Sequence, residues 1–148
     1  MYRITLGLYL YLAVFADAVY RNCDSQIESY NNVTVSNCNP IASKCILPRG
    51  KNTTIEINFN LDKDIKRVST VVRGVIVNFP LPYPLTVTDA CEASGLKCPL
   101  TKDDGPYSYK LDLPVKKDFP RTPIDINVEL KDENDITIVC VLIPSRIK

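Results

Sequence analysis

In the stretch Thr54-Ile55-Glu56-Ile57-Asn58-Phe59-Asn60-Leu61, the apolar side chains Ile55, Ile57, Phe59 and Leu61 fall on one face of an extended chain, with Glu56, Asn58 and Asn60 on the other. A period of two is what a β-strand needs when one face is buried and the other is wet. The same period recurs in Tyr107, Tyr109, Leu111, Leu113 and Val115. It recurs again in Ile124, Ile126, Val128 and Leu130, with Asp125, Asn127 and Glu129 opposite. These segments predict two further half-buried strands.

Outward from these three, the Val-rich run Arg67 to Phe79 predicts a long strand bent or bulged at Gly74. Ile136 to Ile143 is apolar on both faces apart from Thr137, which suits a central strand, and Ile27 to Val35 is a weaker strand candidate. Turn signals lie at Pro48-Arg49-Gly50, Asp103-Asp104-Gly105-Pro106 and Lys131-Asp132-Glu133-Asn134-Asp135. Strands and turns without helical periodicity predict an all-β, antiparallel β-sandwich. In Phe79-Pro80-Leu81-Pro82-Tyr83-Pro84-Leu85, alternate prolines remove backbone donors, so the segment is no interior strand. It is either a hydrophobic loop or a stiff rim around a cavity, and composition favours the loop.

The N-terminus carries Arg3, an apolar run from Ile4 to Phe15, and small residues at Ala16 and Ala18. This is the pattern of a signal peptide over residues 1–18, cut before Val19. A membrane anchor is the alternative, but Ile4 to Ala16 falls well short of the roughly 20 residues that span a bilayer. Residues 19–148 then form a single domain, long enough to bury a core. Arg3 and Asp17 leave together, so the formal charge stays at +1, with no ground for nucleic acid binding or a polybasic membrane patch.

All six cysteines (Cys23, Cys38, Cys45, Cys91, Cys98 and Cys140) lie after the signal, and an even number in an exported chain reads as three disulfides. The short intervals Cys38 to Cys45 and Cys91 to Cys98 invite local bridges, leaving Cys23 and Cys140 to join the ends. Six cysteines permit many other pairings. The sequons Asn32-Val33-Thr34 and Asn52-Thr53-Thr54 agree with export and place Asn32 and Asn52 at the surface as glycosylation sites.

The chain has no histidine, which removes the commonest general base, histidine metal ligation and every Ser/Cys-His arrangement. Oxidised cysteines offer neither a thiolate nucleophile nor a zinc site. The carboxylate pairs Asp103/Asp104 and Asp132/Glu133 sit in turn signals beside lysines and read as solvated charge rather than as a glycosidase pair. Nothing in the residues calls for an enzyme, a cofactor or a metal.

One combination of motifs is more specific. Cys38…Cys45, the proline segment, Asp89-Ala90-Cys91, Leu96-Lys97-Cys98-Pro99-Leu100, Tyr107-Ser108-Tyr109, Leu113-Pro114-Val115, Phe119-Pro120 and Cys140…Ile143-Pro144 together resemble the ML family of lipid-recognition domains, in its small sterol-transfer branch and insect relatives. The likeness covers nearly all of residues 22–147. It implies an immunoglobulin-like sandwich with three disulfides, Cys23 to Cys140, Cys38 to Cys45 and Cys91 to Cys98, and an apolar cavity between the sheets. Carried over by position, the ligand-binding lining is Val35, Leu47, Leu81, Tyr83, Leu113, Pro114, Val115, Phe119, Val128 and Val141, with Leu81, Tyr83 and Phe119 at the mouth. Val128 and Val141 stand where mammalian members resemble one another in carrying tryptophan, and this chain has none. That difference reshapes the cavity and broadens the candidate guests.

The function implied is a secreted, monomeric, non-catalytic carrier of a sterol, fatty acid or other small apolar lipid. Such a carrier makes transient contact with membranes or a membrane lipid transporter, and delivery to lysosomes is within its range. An immune co-receptor presenting a microbial lipid, a semiochemical carrier and an adhesion module with a dry core are the alternatives. Taken without the resemblance, each apolar lining residue is ordinary core.

Overall fold

The computed structural model describes residues 20–23, 30–39, 41–76, 79–82, 89–93 and 95–148. The expected signal peptide, Tyr83 and the start of the weak strand at Ile27 lie outside the described residues. Among the described residues nine strands form two sheets: β1 (Arg21–Asn22), β2 (Tyr30–Val35), β3 (Cys45–Leu47), β4 (Lys51–Phe59), β5 (Ser69–Ile76), β6 (Phe79–Pro82), β7 (Tyr107–Val115), β8 (Pro123–Lys131) and β9 (Thr137–Ile147). One short helical turn, α1 (Ala90–Ala93), follows β6 and has no signal in the sequence pattern. Among the described residues no helix is long and apolar enough to cross a membrane.

The larger sheet runs β1-β9-β8-β5-β6, and the smaller runs β2-β4-β7. Alternation decides which side chains meet between them. In β4, Thr53, Ile55, Ile57 and Phe59 are buried, and in β7 so are Tyr109, Leu111, Leu113 and Val115. Opposite them stand Val72 of β5, Ile126, Val128 and Leu130 of β8, and Val139, Val141 and Ile143 of β9. The expected strand at Tyr107–Val115 has those bounds, and those at Thr54–Leu61 and Ile124–Leu130 are shifted by a few residues at most.

β9 is central, with β8 on one edge and β1 and β3 on the other. Cys140 on its outer face is buried as well as its inner residues, and so is Ile138 at the register shift opposite Leu130 and Lys131, which is why this segment reads as apolar on both faces. Ile136, assigned to the strand by pattern, lies outside it and is 41% exposed. β3 joins β9 in parallel, pairing Cys45 with Ser145 and Leu47 with Ile147, the one departure from antiparallel pairing in the described sheets. The disulfides are Cys23–Cys140, Cys38–Cys45 and Cys91–Cys98.

Four local expectations are corrected. Gly74 makes no bulge: the register runs unbroken through Arg73, Gly74 and Val75 against both neighbouring strands. The Arg67–Phe79 run is not one strand, because β5 ends at Ile76 and Phe79–Pro82 returns beside it. The proline segment is therefore an edge strand over Phe79–Pro82 rather than a loop, since at an edge a missing N–H costs no ladder bond on the outer side. Asp132 is not solvated either, at 5% exposure. Its Oδ1 accepts the N–H groups of Asn134 and Ile136 (both 2.9 Å), and its Oδ2 pairs with Lys63 Nζ at 3.1 Å. Burial by itself would raise its pKa, but the Ile136 N–H, the Lys63 ammonium and the Asn134 N–H together hold it below the ordinary 3.8.

Two outcomes follow for stability. A group whose folded pKa is lowered stabilises the fold fully above its unfolded value of 3.8 and loses that contribution as pH falls through the folded value. Urea unfolding between pH 5 and 2 should therefore show a flatter acid limb for Asp132→Asn than for the wild type, while Asp132→Ala, which strands two N–H donors, should cost about 2–3 kcal/mol at neutral pH. The bond Cys23–Cys140 closes a loop with a sequence separation of 117, so the double variant Cys23→Ala/Cys140→Ala should lose on the order of 4 kcal/mol in the same assay.

Candidate functional site: the interior between the sheets

The two ends of the sandwich differ. At one end Phe59, Leu61, Ile65, Val68, Leu96 and Leu100 are all buried, Phe59 packs on Tyr107 with ring centroids 5.9 Å apart, and Ile65 bridges to Leu100. The Tyr107 hydroxyl donates to Thr101 O at 2.7 Å and accepts the Thr101 N–H at 2.9 Å, fixing the loop that seals this end. At the other end Leu47, Val115 and Ile147 are buried, while three apolar residues are half-buried: Phe119 in the turn after β7, Ile124 at the start of β8 and Ile76 at the end of β5. These half-covered hydrophobic side chains, beside an edge strand with two prolines in four residues, make this end the candidate opening of the interior.

The Phe119 turn is held from several directions. Phe119 N–H donates to Lys116 O at 3.1 Å, and Arg49 Nη1 donates to Lys117 O at 3.3 Å. Gly50 N–H donates to Val115 O from a left-handed conformation at φ 79°, which favours glycine there. Arg49 N–H donates to Lys148 O at 3.0 Å, so the C-terminal strand supports the same corner.

The expected lining residues fall as follows. Leu47, Leu113, Val115, Val128 and Val141 are buried, and Val128 and Val141 are directly paired in the middle of the larger sheet. Val35, half-buried and opposite Ile55, and half-buried Phe119 both pack against the core. Leu81 lies in register with Gly74; Tyr83 is outside the described residues. Pro114 is the exception: it lies between the inward Leu113 and Val115, pairs with Asn52 and is exposed on the outer face, so it does not line the interior. Asn32 and Asn52 are also exposed on that outer face.

Two positions at the mouth are absent from that expected lining, Gly74 and Ile124. Gly74 faces inward, and a Cβ built there would lie 2.6 Å from Cδ1 of Ile124. The glycine is a close-approach site that lets Ile124 cross the mouth end of the larger sheet. A clue lies in the alternation of Ile124 with Ile126, but the glycine's purpose depends on a neighbour far along the chain.

The polar groups outside the interior serve structural ends. Glu133 accepts the Lys66 N–H at 3.2 Å, Asp104 accepts the Thr101 hydroxyl at 2.7 Å, and Arg73 pairs with Glu129 at 2.9 Å on the outer face of the larger sheet. Among the described residues no grouping of Cys, Asp and Glu is placed to hold a metal ion.

The class these features define is a disulfide-tied, two-sheet β-sandwich whose inner faces are mostly apolar. Comparison with known proteins narrows the class to a family. The family profile described as the ML domain matches residues 17–147. The chain is 37% identical over 138 residues to the Drosophila melanogaster protein named NPC intracellular cholesterol transporter 2 homolog a, covering 93% of each. It is 41% identical over 129 residues to the ecdysteroid-regulated 16 kDa protein of Manduca sexta, covering 86% of this chain and 87% of that one. A crystal structure of a Niemann-Pick type C2 protein from the Japanese carpenter ant superposes with a TM-score of 0.81 at 32% identity, covering 87% of this chain and 98% of that chain. The chain belongs to the ML domain family.

The contact at Gly74 yields a mouth-end test. Gly74→Ala should displace the terminal methyl of Ile124 and cost roughly 1–2 kcal/mol in denaturant unfolding. Adding Ile124→Val, which removes Cδ1, should restore most of that loss.

Proposed function

We propose that this protein is a secreted, non-catalytic carrier that encloses a sterol or similar apolar lipid between its two sheets and passes it through the Phe119–Ile124 end to membranes or partner proteins. The observation that carries this reading is the contrast between the sealed end and the half-covered apolar end, joined by inner faces lined with aliphatic side chains from Val35 through Val128 and Val141. The names of the relatives, which include a cholesterol transporter, support it. Three disulfides and the pattern of residues 1–18 support export. The exposure of Asn32 and Asn52 suits them to carry glycans.

The energetics are adequate. Burying about 300 Å² of guest apolar surface at about 25 cal/mol per Å² yields roughly 7 kcal/mol before ordering costs. That corresponds to affinities near the micromolar scale, which allow both carriage and release. With Val128 and Val141 at the centre rather than bulky aromatics, the space suits a broad guest, and fatty acids stand beside sterols as candidates.

Delipidated protein titrated with a fluorescent sterol and a fluorescent fatty acid should show saturable binding of at least one. Val128→Trp, which puts an indole at the middle of the interior, should abolish that binding while the three disulfides still form. No saturable binding of either probe by the wild type would overturn the carrier reading.

A further inference from the structure

The formal charge of +1 conceals an uneven distribution. Three segments far apart in sequence carry the excess of positive charge: 44–51 with Lys44, Arg49 and Lys51, 116–121 with Lys116, Lys117 and Arg121, and 146–148 with Arg146 and Lys148. These eight basic side chains share their segments with one acidic residue, Asp118, whereas the rest of residues 19–148 holds nine basic and fifteen acidic ones.

The fold stitches the three segments into one corner. Arg49 N–H donates to Lys148 O, and Lys148 N–H donates to Leu47 O, both at 3.0 Å. Arg49 Nη1 donates to Lys117 O at 3.3 Å, and Lys51 lies opposite Val115 in the β4–β7 ladder. The Lys117 side chain lies over Gly50, where a Cβ would come 3.0 Å from its Cε. Arg146 stands between Ile46 of β3 and Pro123 of β8. Seven of the eight cations are exposed, and half-buried Arg49 ties the segments together. None of the eight enters an ion pair with a described residue; such pairs join Lys63 to Asp132, Arg73 to Glu129, and Lys131 to Glu129 and Asp135. The carboxylates on the adjoining stretches of β7 and β8 are Asp112, which accepts the Thr54 hydroxyl at 2.6 Å, and half-buried Asp125, opposite Pro144. Like charges gathered this closely work against the compact state, and a dense counter-charge relieves them.

We propose that this corner binds a linear polysulfated polysaccharide. The shape of the cationic band favours a polymer over a flat surface. Arg146 lies on the outer face of the larger sheet, Lys51 begins the middle strand of the smaller sheet, and Lys116, Lys117 and Arg121 lie in the connection between the two. A flexible chain follows a band that bends from one sheet to the other, whereas a bilayer meets only part of it. Five of the eight are lysines, point charges on flexible stems that suit a run of sulfates without fixed geometry. Such binding gains from release of the counterions condensed on a polyanion, so it weakens steeply with salt. The proposal rests on the exported setting of the carrier reading and not on what the interior holds. Because the corner carries the Phe119 turn, the polysaccharide holds the carrier by its candidate mouth.

The test uses the full-length secreted protein with three probes: heparin oligosaccharides, unsulfated hyaluronan, and vesicles of mixed phosphatidylcholine and phosphatidylserine. At about 0.15 M salt, heparin should bind saturably and more tightly than either of the others, and its binding should weaken steeply as salt rises. The triple variant Lys51→Gln/Lys116→Gln/Arg146→Gln removes one exposed cation from each segment. It should bind heparin about a hundredfold more weakly, roughly fivefold per charge, with a flatter salt dependence. Lys51→Arg/Lys116→Arg/Arg146→Lys, which conserves charge, should stay within about threefold of wild type. Lys66→Gln/Lys97→Gln/Lys102→Gln makes the same charge change around the Ile65–Leu100 bridge at the far end and should stay within about twofold. Absence of saturable heparin binding, equal binding of hyaluronan, tighter binding of the vesicles, or an equal loss in the far-end variant overturns the inference. Each of those results leaves the carrier reading standing, since that reading is judged by the sterol and fatty acid probes.

Discussion

The placement of β9 is the constraint on which the rest of the structure depends. Its backbone pairs on both edges, with β8 along nearly its whole length on one side and with β1 and then β3 on the other. A strand satisfied on both edges can be buried on both faces without orphaned donors or acceptors. Its inner residues Val139, Val141 and Ile143 form the middle of the larger sheet's wall, and the disulfide from Cys140 fastens β1 behind it. The last residues of the same strand anchor β3 and, through Lys148, the corner that carries Phe119. Core, covalent tie and mouth all take their position from one segment.

The difference between the two ends of the sandwich follows from how each is bounded. The first end is covered by two connections with their own apolar residues, Leu61 and Ile65 between β4 and β5 and Leu96 and Leu100 before β7, joined by the Ile65–Leu100 bridge and the Tyr107–Thr101 hydrogen bonds. The buried Asp132 carboxylate with Lys63 fastens the β8–β9 loop to the segment after β4 at this end. At the open end, the edge strand contains prolines that cannot complete a ladder, and a glycine replaces a side chain where Ile124 crosses. The two ends therefore differ in what covers their apolar residues: loop side chains at the first, and a hydrogen-bonded turn carrying half-buried Phe119 at the second.

Much of this architecture is legible in the order of the residues. Ile55, Ile57 and Phe59, and likewise Tyr109 to Val115, face inward because the period of two is a local property of an extended chain, and a break in it would bury a polar group. Leu113, Val115 and Val128 are identifiable as inward by alternation, whereas Val141 lies in a run apolar on both faces and is placed only by the family resemblance. Pro114 travels with its neighbours as part of a motif, yet the same alternation points it outward, as it does Asn52 across from it.

The sequence alone determined the strands β4, β7 and β8, their buried faces and the class of fold, because each of these rests on residues within a few positions of one another. Only the tertiary structure decided that Gly74 makes room for Ile124, that Asp132 is buried against Lys63, that the proline segment forms a sheet edge, and that Thr70 meets Tyr109 between the sheets. Those partners are separated by long stretches of chain and come together through strand order and register. No local pattern encodes which distant side chain will stand opposite, since that is settled when the two sheets close on each other.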